Sequence, residues 1–365
     1  MSDDPIRDVD PDRLRQFSFL VFSKLEGAVT SGMIHLGDRL GLYAALAASP
    51  LRLTDDELAA RTSLHPRWVR EWIRNQAAAR IIEVEFADGD ERYGLSPEAR
   101  VVLADESHPS FGMGMFHRLP QTMNALEYLP ESFRSGLGRD YDSHGPDGAV
   151  GIERSFEPWS RSHLLPTVLP ALDGVVERLE RGARVADVGC GAGGAAIRMA
   201  AAFPASTVTG YDISRHALER AFERRTSESV GNVDFRDPRR DPLPEDGSLD
   251  LVTAFDCIHD MTHPQEVMTS IRRSLKDDGV WLLVDIKALD TFEQTMAKNP
   301  MASLMYGISV MSCMSSAMSM PGGAGLGTLG LPESVARRMA ADAGFTRFRR
   351  LDIEHSLNAF YEIRP

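Results

Sequence analysis

Hydrophobic residues near the start of the chain recur at helical spacing. Phe19, Phe22 and Leu25 begin a series of apolar positions three to four residues apart. This spacing predicts two helices over residues 17–46. The acidic segment before them, residues 1–16, lacks the pattern and is expected to be disordered.

Two further helices and a hairpin follow in the pattern. Thr54 begins the capping-box sequence TDDE, and Pro66 suits the first turn of the next helix. The apolar segments IIEVEF and ERYGLS flank the sequence ADGD, which predicts a β-hairpin that turns at Asp88-Gly89. Helices followed by such a hairpin predict a winged helix over about residues 35–100.

From Arg184 onward, short apolar strands alternate with amphipathic helices. The strand-like segments are ARVADVG, STVTGYDI, LDLVTAFD and GVWLLVDI. This alternation predicts an α/β fold of the doubly wound, Rossmann-like class, with a parallel sheet between helices. The last two strand patterns, TRFRRLDIEH and LNAFYEIR, have no helix between them and predict a C-terminal antiparallel hairpin.

These patterns divide the chain into regions. We predict a helical and winged-helix domain at 17–110, a helical bridge at 111–165 and the α/β domain at 166–365. Within the last domain, residues 287–331 are an insertion between the fifth strand and the final helix.

The insertion is rich in methionine. Seven methionines lie between Met296 and Met320, and the glycine-rich sequence PGGAGLGTLG follows them. Methionine gives a flexible, polarizable, apolar surface, so the insertion is predicted to be a mobile lid over an apolar pocket. The alternative is a helix that packs in a dimer interface.

Composition excludes several classes of protein. The net charge of −13 disfavours nucleic-acid binding, and no run of 18 apolar residues is present to span a membrane. Cys190, Cys257 and Cys313 are odd in number and widely spaced, which predicts neither a disulfide framework nor a CxxC metal site, and no metal is expected. Since the first residues also lack the apolar core of a signal peptide, a cytoplasmic protein is expected.

A glycine turn follows the first strand of the α/β domain. Its sequence DVGCGAG places glycines at 189, 191 and 193, and Asp212 ends the next strand nineteen residues later. Glycine permits a tight turn that approaches a ligand closely, and a carboxylate in that position can accept hydrogen bonds from ribose hydroxyls. The same layout serves NAD, but GCGAG is tighter than the dinucleotide pattern GxGxxG, and an acid precedes it by two residues.

Together with FRDPRRDPLPEDGSLDLV and LKDDGVWLLVD, this turn resembles the class I S-adenosylmethionine (SAM)-dependent methyltransferases, over about 165–365. The resemblance implies SAM as cofactor. It implies that residues of the turn hold the methionine end, that Asp212 binds ribose and that Ile213 packs on adenine. An acid is expected to contact the adenine amino group, with Asp237 preferred and Asp241 as the alternative. The implied turn residues are Asp187, Gly189, Gly191 and Gly193.

The segment after the fourth strand carries the candidate base. It reads Phe255-Asp256-Cys-Ile-His259-Asp260, and in a doubly wound sheet it faces the ligand. A histidine can take a proton from a hydroxyl near neutral pH. The phrase IHDMTHPQEV resembles the small-molecule, plant-type O-methyltransferases, and that resemblance implies His259 as general base, with Asp260 beside it. No acid that would orient the base is matched in the sequence.

Alternatives remain for these residues. In the alternative to a general base, His259 only packs against the cofactor or caps a helix. His263 is expected only to begin a helix. Phe255, Asp256 and Asp260 are predicted to lie on the cofactor side, although either acid also suits a helix cap.

The sequence therefore predicts SAM-dependent methyl transfer to a small, largely apolar acceptor, most readily at oxygen. A homodimer formed through the apolar helices of 17–46 is expected. The alternative function is a transcriptional regulator whose methyltransferase-like domain senses SAM or a metabolite, with Arg67, Arg70 and Arg74 on the helix that would meet DNA. A third alternative is a nicotinamide-dependent dehydrogenase.

Overall fold

The computed structural model describes residues 9–87 and 89–365. The chain forms two compact units, one ending at Leu119 and one beginning at Pro120. The boundary lies beyond the predicted domain end at 110 because Phe111 and Met113 are buried in the core of the first unit. Most of the predicted bridge therefore belongs to the second unit.

The first helix is longer than the sequence pattern predicts. It begins at Pro11, where the Asp10 side chain accepts hydrogen bonds from the next turn, and it continues to Arg39. A carboxylate at the N-cap stabilises a helix start, so the predicted disorder is corrected to helix for residues 11–16. Residues 1–8 lie outside the described part of the chain.

The helices and hairpin of the first unit confirm the winged helix. Thr54 and Glu57 form the capping box, Pro66 opens the next helix, and the two strands pair antiparallel. Asp88, one of the two predicted turn residues, lies outside the described residues. The elements are α1 (Pro11–Arg39), α2 (Leu42–Ala47), α3 (Asp55–Thr62), α4 (Pro66–Ala78), β1 (Glu83–Ala87), β2 (Asp90–Gly94), α5 (Pro97–Leu103) and α6 (Met113–His117).

A seven-stranded sheet forms the centre of the second unit. Its strand order is β5-β4-β3-β6-β7-β9-β8, with β9 antiparallel to both of its neighbours and the other pairs parallel. This arrangement confirms the predicted doubly wound sheet with a C-terminal antiparallel hairpin. The strands are β3 (Arg184–Val188), β4 (Thr207–Tyr211), β5 (Val233–Arg236), β6 (Leu249–Phe255), β7 (Leu275–Ile286), β8 (Arg347–Arg350) and β9 (Asn358–Arg364).

Helices cover the sheet and precede it. A nine-residue π-helix, Ser160–Val168, continues the helix that ends at Trp159, and short 3₁₀ turns lie at Ala125–Glu127, Tyr141–His144, Leu169–Ala171 and Ile258–Asp260. The α-helices are α7 (Leu119–Asn124), α8 (Leu129–Ser135), α9 (Gly145–Trp159), α10 (Val175–Arg181), α11 (Gly194–Ala202), α12 (Arg215–Ser227), α13 (Pro264–Ser274), α14 (Phe292–Lys298), α15 (Ala302–Met311), α16 (Cys313–Ala317) and α17 (Glu333–Asp342).

Both faces of the sheet are buried. One face packs Val185, Leu282 and Phe360 beneath α11, and the other packs Val252, Trp281 and Leu283 beneath α13 and α17. Strands buried on both faces read as continuous apolar runs, as the sequence of β6 and β7 does. The parallel strands end at one edge, where the predicted ligand-binding segments follow them.

The methionine-rich insertion contains α14, α15 and α16, and its glycine-rich part at 321–330 is not helical. Among the residues that the structure describes, no helix combines the length and apolar character needed to cross a membrane.

Candidate active site

Asp187 lies near the carboxyl end of β3 and is almost completely buried. Thr253 on the neighbouring strand donates a hydrogen bond to Oδ1 at 2.6 Å. The other oxygen, Oδ2, has no hydrogen-bond partner among residues 9–87 and 89–365. Burial raises the pKa of this carboxyl to about 7. A buried oxygen without a donor marks the place where a polar or cationic ligand group fits.

The glycine turn has three left-handed residues. A Cβ on Gly189 would lie 2.6 Å from Cys257, and one on Gly193 would lie 2.5 Å from the Phe235 ring. At Gly191, apart from chain neighbours, no atom of the described residues lies within 4 Å of such a Cβ. Two of the glycines therefore allow close packing, and Gly191 leaves open space for a ligand.

Asp212 follows β4 and is tied to the same turn. Its Oδ2 accepts the Gly191 amide at 2.8 Å, and its Oδ1 accepts the Ser214 amide at 2.8 Å. Burial raises the pKa of this carboxyl above its ordinary value. The Ile213 side chain beside it is 44% exposed. The sequence-predicted ribose and adenine residues thus lie at the edge of the glycine turn, next to open solvent.

Asp237 follows β5 and is paired with Arg239 at 2.8 Å. Hydrogen bonds from Arg239 lower the pKa of this carboxyl, and the same guanidinium donates to the Ile213 carbonyl at 2.7 Å. The Asp241 side chain is exposed. Asp237 is therefore placed beside Ile213, with its oxygens engaged by arginine, and its contact with adenine stays a prediction.

Phe255 ends β6, and Asp256 follows it. The Phe255 ring packs 6.1 Å from that of Trp159. Asp256 has a left-handed φ of 47° and accepts a hydrogen bond from the Asn358 amide. Burial, followed by the neighbouring Asp285 carboxylate, raises the pKa of Asp256 to about 7. A non-glycine residue held in this backbone conformation is frequent at functional sites.

His259 lies in the 3₁₀ turn after β6, and 3% of the residue is exposed. Its Nδ1 is 2.6 Å from Oδ1 of Asp285 on β7. Because a carboxylate only accepts, Nδ1 carries the proton and Nε2 is the nitrogen available for chemistry. Asp285 is the acid partner of His259 that the sequence did not reveal. Its only signal in the sequence is an acid at the end of the apolar run GVWLLVDI.

Two opposed effects act on the imidazole. Burial lowers the pKa of His259, but the charges and hydrogen bonds of Asp285 and then Cys313 outweigh it and raise that pKa well above its ordinary value. An imidazole paired in this way takes up a proton readily, as a general base must. His263 occupies the position before α13 and makes no side-chain capping bond, so it begins the helix only by its place in the chain.

The insertion at residues 287–331, called the lid from here on, is hydrogen-bonded to the turn that carries His259. Gly327 donates its amide hydrogen to the His259 carbonyl at 3.0 Å, and Ala324 donates to the Thr262 carbonyl at 2.8 Å. On its other side, Gly138 donates to the Met318 carbonyl at 2.9 Å. The lid is therefore held between the turn that carries His259 and the loop that precedes α9.

An apolar cavity of about 170 Å³ lies between α8 and the lid helices α15 and α16. It is lined chiefly by apolar side chains from α8, the following loop, α15 and α16. They include Leu129, Phe133, Leu137, Val310, Met314 and Met318.

Family models match two parts of the chain. Residues 179–322 match a family described as a methyltransferase domain, and residues 28–105 match one described as an Rv2258c-like winged HTH domain.

Curated relatives match over short segments. The chain is 38% identical over 115 residues to polyketide synthase ThaQ of Burkholderia thailandensis, covering 31% of this chain and 5% of the relative. It is 36% identical over 110 residues to 27-O-demethylrifamycin SV methyltransferase of Amycolatopsis mediterranei, covering 29% of this chain and 40% of the relative. The chain thus spans less than half the length of these relatives.

Among solved structures, human N-acetylserotonin methyltransferase in complex with SAM has a TM-score of 0.69 at 17% identity, covering 100% of this chain and 99% of that one. At this identity the likeness concerns the fold. With the family models, it shows that this chain carries a methyltransferase domain behind a winged helix-turn-helix domain.

Proposed function

We propose that the protein is an enzyme that transfers a methyl group from SAM to a small, largely apolar acceptor at oxygen, with His259 as general base. The observation that carries this proposal is the buried His259–Asp285 pair, placed at the strand ends beside the glycine turn. The name of the Amycolatopsis relative, an O-demethylrifamycin methyltransferase, supports an oxygen acceptor.

The residues of the glycine turn suit SAM as cofactor. SAM carries an ammonium group and a ribose, and the carboxyl groups of Asp187 and Asp212 supply hydrogen-bond acceptors where such groups would lie. Oδ2 of Asp187 lacks a donor within the described chain, and the ammonium group would provide one. When bound, SAM supplies an activated methyl group. The complex of human N-acetylserotonin methyltransferase with SAM supports the assignment.

The side chains contribute proton transfer and positioning. His259 Nε2 takes the proton of the acceptor hydroxyl as that oxygen attacks, and Asp285 stabilises the imidazolium that forms. Asp285 also fixes the ring orientation through Nδ1. The apolar cavity between α8 and the lid helices favours an acceptor with a hydrocarbon or aromatic body, since burial of apolar surface contributes about 25 cal/mol per Å².

Transfer of tritium from the labelled methyl group of SAM tests the function. A panel of apolar phenols is compared with the corresponding methyl ethers, which have the same shape but no hydroxyl. Label in the phenols alone supports the proposal. Label in anilines or carbon acids, with none in any phenol, contradicts transfer to oxygen.

Asp285→Asn is expected to change the pH profile of methyl transfer. The carboxylate raises the pKa of His259, so its removal lowers that pKa. The base is then unprotonated at lower pH, and the acidic limb of kcat/KM moves to lower pH. The plateau falls by about tenfold or more because the imidazolium loses its partner. Steady-state rates between pH 5 and 9 measure both effects, and a loss of rate without a shifted limb would leave Asp285 a purely structural role.

The arginines of α4 support a structural role for the winged helix. Arg67 pairs with Glu71 at 2.5 Å, Arg74 pairs with Glu91 at 2.9 Å, and Arg70 pairs with Asp55. Guanidinium groups neutralised by acids contribute little to phosphate binding. We therefore favour the enzyme over the regulator, and a gel-shift experiment with upstream DNA at moderate salt discriminates between them.

The N-terminal part of α1 supports a homodimer. Its apolar side chains point in all directions around the helix, and each is at least 49% exposed. They are Leu14, Phe17, Phe19, Leu20, Val21, Phe22, Leu25 and Val29. A helix that is apolar all round is normally enclosed by protein. We propose that a second copy of the chain encloses it, with exposed lid residues such as Phe292 and Met296 as further contacts.

Phe19→Asp combined with Phe22→Asp is expected to convert the dimer into a monomer, because two buried charges cost several kcal/mol at an apolar interface. Light scattering after size-exclusion chromatography measures the mass. Lys24→Ala on the same helix is the matched control and should leave the mass unchanged. A wild-type chain that is monomeric at all concentrations contradicts the proposal.

A further inference from the structure

Three side chains of the types that commonly bind metals converge at the lid. They are His259 and Asp260 from the 3₁₀ turn after β6 and Cys313 from the start of α16. One ligand atom of each lies within 4.8 Å of the other two. The cluster joins the base-bearing turn to the lid, and Cys313 approaches the imidazole closely enough to affect its pKa.

This set of donors suits zinc. Imidazole nitrogen, carboxylate oxygen and thiolate sulfur are its common ligands, and a tetrahedral zinc ion separates such atoms by roughly 3.3–3.6 Å. The present separations, within 4.8 Å, exceed that range by at most about 1.2 Å, so metal binding requires small side-chain rotations. With three protein ligands, a fourth position is left for water.

The surroundings favour the same ion. Asp285 holds Nδ1 of His259, as the outer carboxylate does in many zinc sites, and so leaves Nε2 as the nitrogen for a metal. Asp256 adds a further carboxylate nearby, close enough for Asp260 and Asp285 to influence its pKa. Magnesium is a poor match for the cluster because it prefers oxygen ligands in octahedral geometry.

We propose that His259, Asp260 and Cys313 form an inhibitory site for Zn²⁺, which competes with the methyl acceptor for Nε2 of His259. Binding displaces the thiol proton of Cys313 to solvent and leaves the thiolate on the metal. The inhibitory part of this inference rests on the proposed role of His259, whereas the binding part does not.

Zn²⁺ binding by the full-length, reduced protein is measured in competition with a chromogenic chelator. One ion per chain is expected to bind with high affinity, and Cys313→Ala should weaken that binding at least about tenfold. Cys190→Ala removes a cysteine outside the cluster, and this variant should keep the wild-type affinity for Zn²⁺. Equal affinity in wild type and Cys313→Ala, or Mg²⁺ binding as tight as that of Zn²⁺, overturns the site.

Alkylation of the wild-type chain gives a measurement that needs no variant. Zn²⁺ should slow the reaction of iodoacetamide with Cys313, measured by mass spectrometry, and leave that of Cys190 unchanged. If Zn²⁺ slows the alkylation of both cysteines equally, or of neither, the proposed site is contradicted.

Inhibition is then measured against the acceptor. Zn²⁺ should raise the apparent KM for the phenol in wild type, with at least about tenfold less inhibition in Cys313→Ala. Stimulation by Zn²⁺ overturns the inhibitory role. Zinc binding at Cys313 without methyl transfer to any acceptor supports the metal site while the proposed function fails.

Discussion

Replacing His259 by alanine is expected to lower turnover by about 10² or more while SAM binding is retained, because the acceptor hydroxyl loses its proton acceptor. The imidazole is buried and bonded to Asp285, so water cannot easily take its place at the same position. Single-turnover transfer of tritium from SAM measures the rate, and calorimetry measures cofactor affinity.

His263→Ala is the matched control for this experiment. His263 lies four residues further along the chain and makes no side-chain capping bond, so its removal should leave turnover within about twofold. Unchanged turnover in His259→Ala would remove the role of base and leave a packing residue. Parallel loss of SAM affinity would point to a damaged fold.

Replacing Asp187 by asparagine is expected to weaken SAM binding by about 10² and, at the same time, to stabilise the ligand-free protein. Charge-assisted hydrogen bonds to a cationic ligand contribute about 1.5–3 kcal/mol each, and the asparagine loses that charge. Calorimetric titration with SAM measures the first effect, and thermal unfolding without SAM measures the second.

The second effect depends on pH. Burial raises the pKa of Asp187 from 3.8 to about 7 in the folded chain. Below pH 4 both states bind the proton, but between pH 4 and 7 only the folded state retains it, so folding loses stability as pH rises through this window. The total cost above pH 7 is roughly 4 kcal/mol.

The asparagine variant avoids that cost. Its advantage over wild type in unfolding temperature should therefore be larger at pH 8 than at pH 4. Asp234→Asn, at a half-buried acid on β5, is the matched control and should show no such difference. A variant no more stable than wild type at pH 8 would show that the buried carboxylate costs little.

The parts of the fold that depend on neighbouring residues in the sequence were predictable. The glycine turn, the capping box at Thr54 and the strand pattern each lie within about ten residues, and the structure confirms the fold that they predict. The pairing of His259 with Asp285 was not predictable in this way. Those residues are 26 positions apart and meet only because β6 and β7 are neighbours in the sheet.

Two other differences have local physical causes. Asp10 caps α1 seven residues before the first residue of the predicted helix, and a single carboxylate is a weak signal in a segment that contains many acids. Arg239 folds back onto Asp237, two residues earlier, and side-chain pairing of this kind leaves no periodic pattern in the sequence.

Part of the attachment of the lid to the turn that carries His259 uses backbone atoms. The amides of Gly327 and Ala324 donate to the carbonyls of His259 and Thr262, so these two bonds do not depend on the exposed side chains of α14 and α15. In the proposed enzyme, substitutions of those exposed side chains would therefore change the outer surface of the lid and leave the position of the His259 turn unchanged.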